Sequence, residues 1–394
     1  MSRFVVLRKG KEVSVLRGHP WVFSGAIQRV SPSLEQGDIV EVQQYDGTFI
    51  GKGHYQHGGS ITVRMLTMNQ EDTDAEFWHR KITSAYTYRE KCGIIQKDIT
   101  DTYRLIHGEG DMAPGLIVDV YGQIVVIQCH SIGMYRNGKE IAEAIRRVLP
   151  IKNPHIYVRA KDTLPSLPGL IWEDGFLFGD VSETIVNENG HKFTVNVIEG
   201  QKTGFFLDQR ENRFLLSQYT KGKSVLNTFC YTGGFSVYAL KAGALKVDSV
   251  DISEKAMVLT DKNISLNPSE GLHRNFTENV MNFLGQEEVP SYDIVVVDPP
   301  AFAKSLAKRH NAVQAYKRLN ILALQKVNPG GFMFTFSCSQ VVTPQLFYDT
   351  IVAAGMESGR SIRVIRHLSQ GADHPVHLFH PEGHYLKGLL LYVE

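Results

Sequence analysis

Four short segments of this chain carry residue types that do chemistry. Cys338 closes the apolar run Gly331–Ser337 and offers a thiol. Asp298 closes Ile294–Val297 and offers a carboxylate, with Pro299 and Pro300 holding the backbone beside it rigid. Asp251, at the end of Val247–Asp251, is a second carboxylate, placed as one that accepts hydrogen bonds from a ribose diol. Thr232-Gly233-Gly234 follows the run Ser224–Asn227 and makes a turn where backbone can approach a ligand that a side chain would block. A carboxylate beside a planar base accepts a hydrogen bond from its amino or ring nitrogen. Carbon 5 of cytosine is a poor nucleophile until a thiolate adds to the ring, and Cys338 could supply that thiolate.

Each of these residues has a blander alternative. A lone cysteine at a strand end is usually packing, and Asp-Pro-Pro can be a mere strand-ending turn. The two together favour chemistry, because strand ends on one side of an open sheet face the same crevice and bring the Cys338 sulfur near Asp298. Cys230 lies within the glycine turn itself and reads as small-residue packing under a cofactor, while Cys92 and Cys129 have no identifiable partners. A nicotinamide site would need G-x-G-x-x-G, and Tyr231-Thr-Gly-Gly-Phe-Ser236 lacks that spacing. The pattern therefore reads as an S-adenosylmethionine (SAM) site. His374, His377, His380 and His384 cluster without a carboxylate-rich, helix-spaced pattern, so no metal is expected.

Such a site needs an open sheet to hold it. Apolar strands are predicted at Phe193–Val197, Ser224–Leu226, Val247–Asp251, Ile294–Val297, Phe332–Phe336, Ile362–Ile365 and Leu386–Val393, with helical stretches between most of them. This is an α/β pattern with a mainly parallel sheet. The last strand follows Pro381-Glu-Gly-His384 and is expected to run antiparallel at or near the edge. The first 75 residues differ: short alternating segments at Phe4–Leu7, Ile39–Gln43, Thr48–Gly53 and Ile61–Met65 predict a small β-barrel. Asp74 should cap a helix over Phe77–Lys91. Strands at Tyr103–His107, Leu116–Tyr121, Ile124–Gln128 and Ile156–Val158, with a helix over Lys139–Val148, make a small α+β unit. Domains are thus expected at 1–75, 76–180 and 181–394, consistent with 394 residues being too many for one typical core.

Composition is that of an ordinary soluble protein, 43% hydrophobic and 21% charged. No apolar run approaches the roughly 20 residues of a membrane helix, and Met1-Ser-Arg-Phe-Val-Val lacks the apolar core of a secretory leader. Four scattered cysteines favour a reduced, cytoplasmic setting. The net charge of +1 suggests no partner, but its distribution does. Between Arg3 and Arg29 six basic residues, Arg17 among them, face only Glu12. Between Pro299 and Tyr348, Lys304, Lys308, Arg309, Lys317, Arg318 and Lys326 have no acidic counterpart. Runs like these are often solvated faces, yet one that directly follows Asp-Pro-Pro suits phosphates.

The ordered motifs resemble the bacterial three-domain 23S rRNA cytosine-5 methyltransferases, and the resemblance covers essentially the full length. Gly18-His-Pro-Trp-Val-Phe-Ser-Gly25 resembles the opening of that family's RNA-binding PUA domain, which brings in Trp21. Gly108-Glu-Gly-Asp-Met-Ala-Pro-Gly-Leu-Ile-Val-Asp119 resembles the signature of its central EEHEE domain. Gly200-Gln-Lys-Thr-Gly-Phe-Phe-Leu-Asp-Gln-Arg210, Asn227–Phe235, Asp251, Asp298–Phe302, Ser337–Ser339, His374-Pro-Val376 and Pro381–Gly388 follow in order. The resemblance implies a Rossmann-like SAM domain with a seven-stranded sheet. In it Phe229, Cys230, Tyr231, Thr232, Gly233 and Gly234 cradle the methionine part, and Asp251 holds the ribose. Asn279 stands where the family usually has an adenine-contacting Asp, with Glu278 as the alternative. Asp208 and Arg210 would close the cofactor pocket. Cys338 would be the nucleophile, with Asp298 and Pro299 on the base.

Other RNA cytosine-5 enzymes carry a further cysteine after the Asp-Pro motif, but this chain has Ala301 and Phe302 there, which leaves the elimination base unassigned. The implied partner is 23S rRNA or a large-subunit precursor. A homodimer is left open. Three rivals stand beside this reading: a sister group that methylates rRNA guanine without a thiol, a non-catalytic rRNA-binding assembly factor, and a nicotinamide oxidoreductase.

Overall fold

Continuous apolar runs such as Ile294–Val297, whose four side chains are wholly buried, are what a strand covered on both faces requires. In the computed structural model, which describes residues 3–394, such runs build most of a seven-stranded sheet; the expected strand at Phe193–Val197 lies outside it, and Leu272–Thr277 takes the seventh place. The chain enters through helix α1 (Arg210–Ser217) and alternates through β1 (Ser224–Thr228), α2 (Gly234–Lys241), β2 (Lys246–Asp251) and α3 (Glu254–Leu266). It continues through β3 (Leu272–Thr277), α4 (Val280–Gly285), β4 (Tyr292–Val297), α5 (Arg309–Gln325) and β5 (Val327–Ser337). Helix α6 (Pro344–Ser358), β6 (Ile362–Ser369) and β7 (Lys387–Val393) complete it.

The strand order is β3-β2-β1-β4-β5-β7-β6. Strands β1 to β5 run parallel, and β7 is antiparallel to both its neighbours. The last strand is therefore antiparallel as expected, but it is enclosed, and β6 forms the edge. One face packs under Phe283, Tyr316, Leu319 and Phe347, the other under Leu216, Phe235 and Leu240. Strand order reverses between β1 and β4. That switch opens a crevice at the carboxyl edge, where β1, β2, β4 and β5 all end.

The chain divides into two compact units. The one just described comprises Glu188–Thr194, Asp208–Gly371 and His384–Glu394. The other comprises the chain up to Asn187, with Val195–Leu207 and Ala372–Gly383. It holds a six-stranded sheet of Phe4–Leu7, Trp21–Phe23, Ile27–Val30, Ile39–Gln43, Phe49–Tyr55 and Ile61–Thr67, closed over Val5, Val22, Val42 and Met65. Its second sheet has five strands, Thr102–His107, Leu116–Tyr121, Ile124–Cys129, His155–Arg159 and Gly175–Phe178, backed by helices Ala75–Lys91 and Gly138–Val148. Asp74 caps the first of these helices, accepting from the backbone of Glu76 and Phe77. Ala372–Gly383 joins this unit through Asp373. Its carboxylate accepts from the Arg104 backbone (3.1 Å) and its carbonyl from Arg89 (2.9 Å).

Candidate active site

At the end of β1 the backbone turns sharply. Phe229 and Tyr231 have φ of 54° and 48°, and Gly233 has φ of 76°. The left-handed region costs a residue with a Cβ on the order of 1 kcal/mol, so two such residues in three positions mark a loop shaped for a ligand. A Cβ on Gly233 would stand 2.7 Å from Thr260 Cγ2, which leaves glycine as the residue that fits. Helix α3 fastens the loop from below: Thr260 Oγ1 donates to the Tyr231 carbonyl (2.9 Å) and Asn263 Nδ2 to that of Thr232 (2.9 Å). Asp251 accepts from the backbone N–H of Tyr231 (3.0 Å) and of Ser253 (2.9 Å), one on each oxygen. Each oxygen keeps a second lone pair, which fits a ribose diol. Gly234 sits over Arg213, whose guanidinium is bidentate to buried Glu188 (2.9 and 2.7 Å), with Tyr238 donating to the same carboxylate (3.0 Å).

At the ends of β4 and β5 the thiol and the Asp-Pro-Pro turn meet. Cys338 is half-buried, and its Sγ lies 3.9 Å from the Pro299 carbonyl oxygen. Ser339 Oγ donates to the Ala303 carbonyl (2.6 Å) and ties the two loops together. Two residues that the sequence reading missed support this corner. Tyr316 on α5 is wholly buried with its ring 4.6 Å from Phe302, and burial pushes its phenol up to about 12. Lys387 opens β7 and donates to the Ser339 and Val342 carbonyls. The available signal was a lone charge heading the apolar run Gly388–Val393.

The other thiols are differently placed. Cys230 is buried against Met257 Sδ (3.5 Å), and burial, then the Asp251 charge, push its thiol far up. Burial pushes Cys129 up to about 12, and Cys92 is exposed on the other unit. Asn279 caps α4, its carbonyl oxygen accepting from Met281 (2.9 Å) and Asn282 (3.3 Å). Glu278 accepts from Gln286 (2.6 Å). Asp208 is buried and accepts from the Tyr385 hydroxyl (2.6 Å), while Arg210 is buried at the start of α1.

Lys304, Lys308, Arg309 and Arg318 are exposed. The stretch itself holds no acidic residue, but Lys317 finds one beyond it, pairing with Glu357 of α6 (2.7 Å). Lys326 turns inward to the carbonyls of Gln286 and Val289. In the other unit Arg17 is exposed, and Trp21 donates its indole N–H to Glu109 (2.8 Å). Thr203 of the Gln201-Lys-Thr-Gly204 segment donates to Asp119 (2.6 Å), which also accepts both arms of Arg104. His19, His380 and Glu382 bring three potential ligand atoms within 4.8 Å of one another. His19 Nδ1 faces both the backbone N–H (3.2 Å) and the carbonyl (3.4 Å) of Trp21, and its Nε2 lies 3.8 Å from Glu382.

Comparison with known proteins agrees with this geometry. Residues 5–68 match the PUA-like domain family, and residues 173–377 match the S-adenosylmethionine-dependent methyltransferase family. A protein of Pseudoalteromonas atlantica named ribosomal RNA large subunit methyltransferase I is 39% identical over 395 residues, 99% of each chain. The protein of that name from Tolumonas auensis is 38% identical over 398 residues, again 99% of each. Among solved structures, a Streptococcus mutans chain described as a SAM-dependent methyltransferase superposes over 100% of both chains with a TM-score of 0.83 at 22% identity. A methyltransferase solved with S-adenosylhomocysteine gives 0.82, also at 22% identity and full coverage. These two structures establish the likeness of fold.

Proposed function

Because the chain belongs to the S-adenosylmethionine-dependent methyltransferases, together with the proteins named ribosomal RNA large subunit methyltransferase I, we propose that it methylates large-subunit (23S) ribosomal RNA at carbon 5 of a cytosine through a covalent Cys338 adduct. The observation that carries this reading is the partly buried thiol at the end of β5, set against the carbonyl of Pro299, the residue after Asp298. A methyltransferase acting on a nucleophilic ring nitrogen has no use for a thiol there.

SAM, when bound, supplies the electrophilic methyl group. The Phe229–Gly234 loop would hold its methionine part and Asp251 its ribose. Asn279 and Glu278 stand at the adenine end, and Asp208 and Arg210 close the pocket. The target cytosine is swung out of its stack, as base-modifying enzymes require. Asp298 accepts a hydrogen bond from the cytosine edge while Pro299 fixes the strand end. The Cys338 thiolate forms a bond to carbon 6, which makes carbon 5 nucleophilic enough to take the methyl group. Loss of the carbon-5 proton to a base then restores the ring double bond and breaks the carbon–sulfur bond, returning the electron pair to sulfur. In this reading residues 1–75 and 76–180, with Arg17 and Trp21, hold RNA by phosphate and shape, as do the exposed Lys304, Lys308, Arg309 and Arg318 beside the site. Residues 181–394 carry the chemistry. Among the described residues no helix is long and apolar enough to cross a membrane, and an rRNA substrate suits a cytoplasmic setting.

The test is methyl transfer from labelled SAM to unmodified 23S rRNA with bisulfite mapping, comparing the native chain with Cys338→Ala. A mapped 5-methylcytosine that vanishes in the variant is the expected result. Incorporation that survives the substitution would sink the thiolate mechanism and point to another base. SAM that fails to bind by calorimetry would instead mark an rRNA-binding assembly factor.

A further inference from the structure

Lys387 has no part in the reaction as drawn so far, yet its surroundings are unusual for a lysine. It is 5% exposed and pairs in register with Ser337, the residue before Cys338. Its ammonium donates to the carbonyls of Ser339 (2.7 Å) and Val342 (2.8 Å), the two ends of the turn that leaves Cys338. Among the described residues no carboxylate pairs with it, and Cys338 is the titratable group whose ionisation would favour its ammonium. A buried ammonium without a carboxylate partner is costly, and two carbonyl hydrogen bonds recover only part of that cost. The charge therefore calls for a use that the hydrogen bonds do not explain.

We propose that Lys387 is a positioning residue for the Cys338 thiolate: it clamps the Ser339–Val342 turn that presents the sulfur, and its charge stabilises thiolate over thiol. This rests on the reading of Cys338 as the nucleophile. Burial lowers the lysine to about 8 while Cys338 works the other way, so the ammonium persists at neutral pH. The coupling is reciprocal, because a thiolate that favours the ammonium is favoured by it in return. Charge beside the sulfur assists the reaction twice: it raises the thiolate fraction that forms the bond to carbon 6, and it stabilises the electron pair that returns to sulfur when that bond breaks. Tyr316 on α5 lies within electrostatic reach of both Cys338 and Asp298. The phenol stays neutral throughout the neutral range.

The experiment measures alkylation of Cys338 by iodoacetamide in the full chain between pH 5.5 and 10, reading the Cys338 peptide by mass spectrometry. Lys387→Gln keeps two N–H donors and loses the charge, Lys387→Arg keeps the charge, and Lys387→Met loses both. SAM binding by calorimetry confirms that each variant is folded. The Gln and Met variants should raise the thiol pKa by about one unit, slowing alkylation at pH 7 by about tenfold, while Arg stays close to the native rate. Methyl transfer by Lys387→Gln should fall by a similar factor and recover as pH rises, with the KM for SAM unchanged. A native alkylation profile in Lys387→Gln would overturn the proposal. Alkylation involves neither RNA nor SAM, so that result is separate from survival of methyl transfer in Cys338→Ala, which would sink the nucleophile reading alone.

Discussion

Cys230 and Cys338 are both thiols at the carboxyl edge of one sheet, but they are buried to different degrees, and the proposed mechanism uses only Cys338. Cys230 is sealed under the cofactor loop against Met257, and burial holds it protonated. Cys338 is partly buried against the Pro299 carbonyl. Cys230→Ala should therefore lose about 1 kcal/mol of stability while keeping methyl transfer within a few-fold of native. Cys338→Ala should keep stability and SAM affinity while transfer falls to background. Melting curves and single-turnover rates on the same two variants check both halves, and loss of transfer in Cys230→Ala would exchange the roles. A second test concerns the buried Arg213–Glu188 pair beneath Gly234. Glu188→Gln strands a buried guanidinium and should cost roughly 3–5 kcal/mol in denaturant titration, with SAM binding weakened in step. The sequence motifs located the loop, but not this support, because a bidentate pair formed across 25 residues leaves no local signature.

Helix α5 shows what an element adds to a charge count. Of the basic residues the sequence groups after Asp-Pro-Pro, Lys304, Lys308, Arg309 and Arg318 face solvent, Lys317 is spent on Glu357, and Lys326 anchors two carbonyls of the α4–β4 connection. Lys308→Ala and Arg309→Ala should each weaken rRNA binding and lower the salt slope of log K by about 0.7–0.9 for each phosphate no longer neutralised, with melting unchanged. Lys326→Met should do the reverse, costing about 1–3 kcal/mol of stability and leaving the salt slope alone. Filter binding at several salt concentrations beside thermal melts separates the two, and an unaltered slope in both exposed variants would remove α5 from the RNA face. The same contrast explains how much was legible beforehand. Strands β4 and β5 stood out by their apolar runs, and β1 and β2 by the paired apolar residues Val225-Leu226 and Val247, Val250 ahead of the turn residues at their ends. Strand β3, Leu-His-Arg-Asn-Phe-Thr, lies at the sheet edge with mostly polar, partly exposed side chains and escaped notice. Strands Trp21–Phe23 and Gly175–Phe178 are too short for periodicity to register. The partners of Lys317 and Lys326 are 40 residues away and depend on tertiary packing.

Across the whole molecule, His54 should make the unit that runs up to Asn187 the more acid-sensitive one, although burial also lowers His191 and His273 in the other unit. His54 is 1% exposed, and its Nε2–H donates to Asn137 Oδ1 (2.8 Å). Nδ1 is thereby the unprotonated nitrogen, and among the described residues it has no hydrogen-bond partner. A proton added there would be a charge in a sealed site next to Arg64, and burial lowers the imidazole from 6.5 to about 4. His107 and His130, in the same unit, are also lowered, chiefly by burial. The folded pKa lies below the unfolded one, so between pH 6.5 and 4 the unfolded chain binds more protons and stability falls as pH falls. His54 alone should remove about 3 kcal/mol over that window, with no further loss below about pH 4, where both states are protonated. All three tryptophans, Trp21, Trp78 and Trp172, belong to this unit, so indole fluorescence follows its unfolding selectively. SAM binding follows the other unit. In denaturant titrations from about pH 7 to pH 4 the fluorescence midpoint should fall more steeply than the loss of SAM binding. His54→Gln should start less stable at neutral pH yet show a shallower pH slope. Coincident transitions at every pH, or an unchanged slope in His54→Gln, would mean the acid response lies elsewhere.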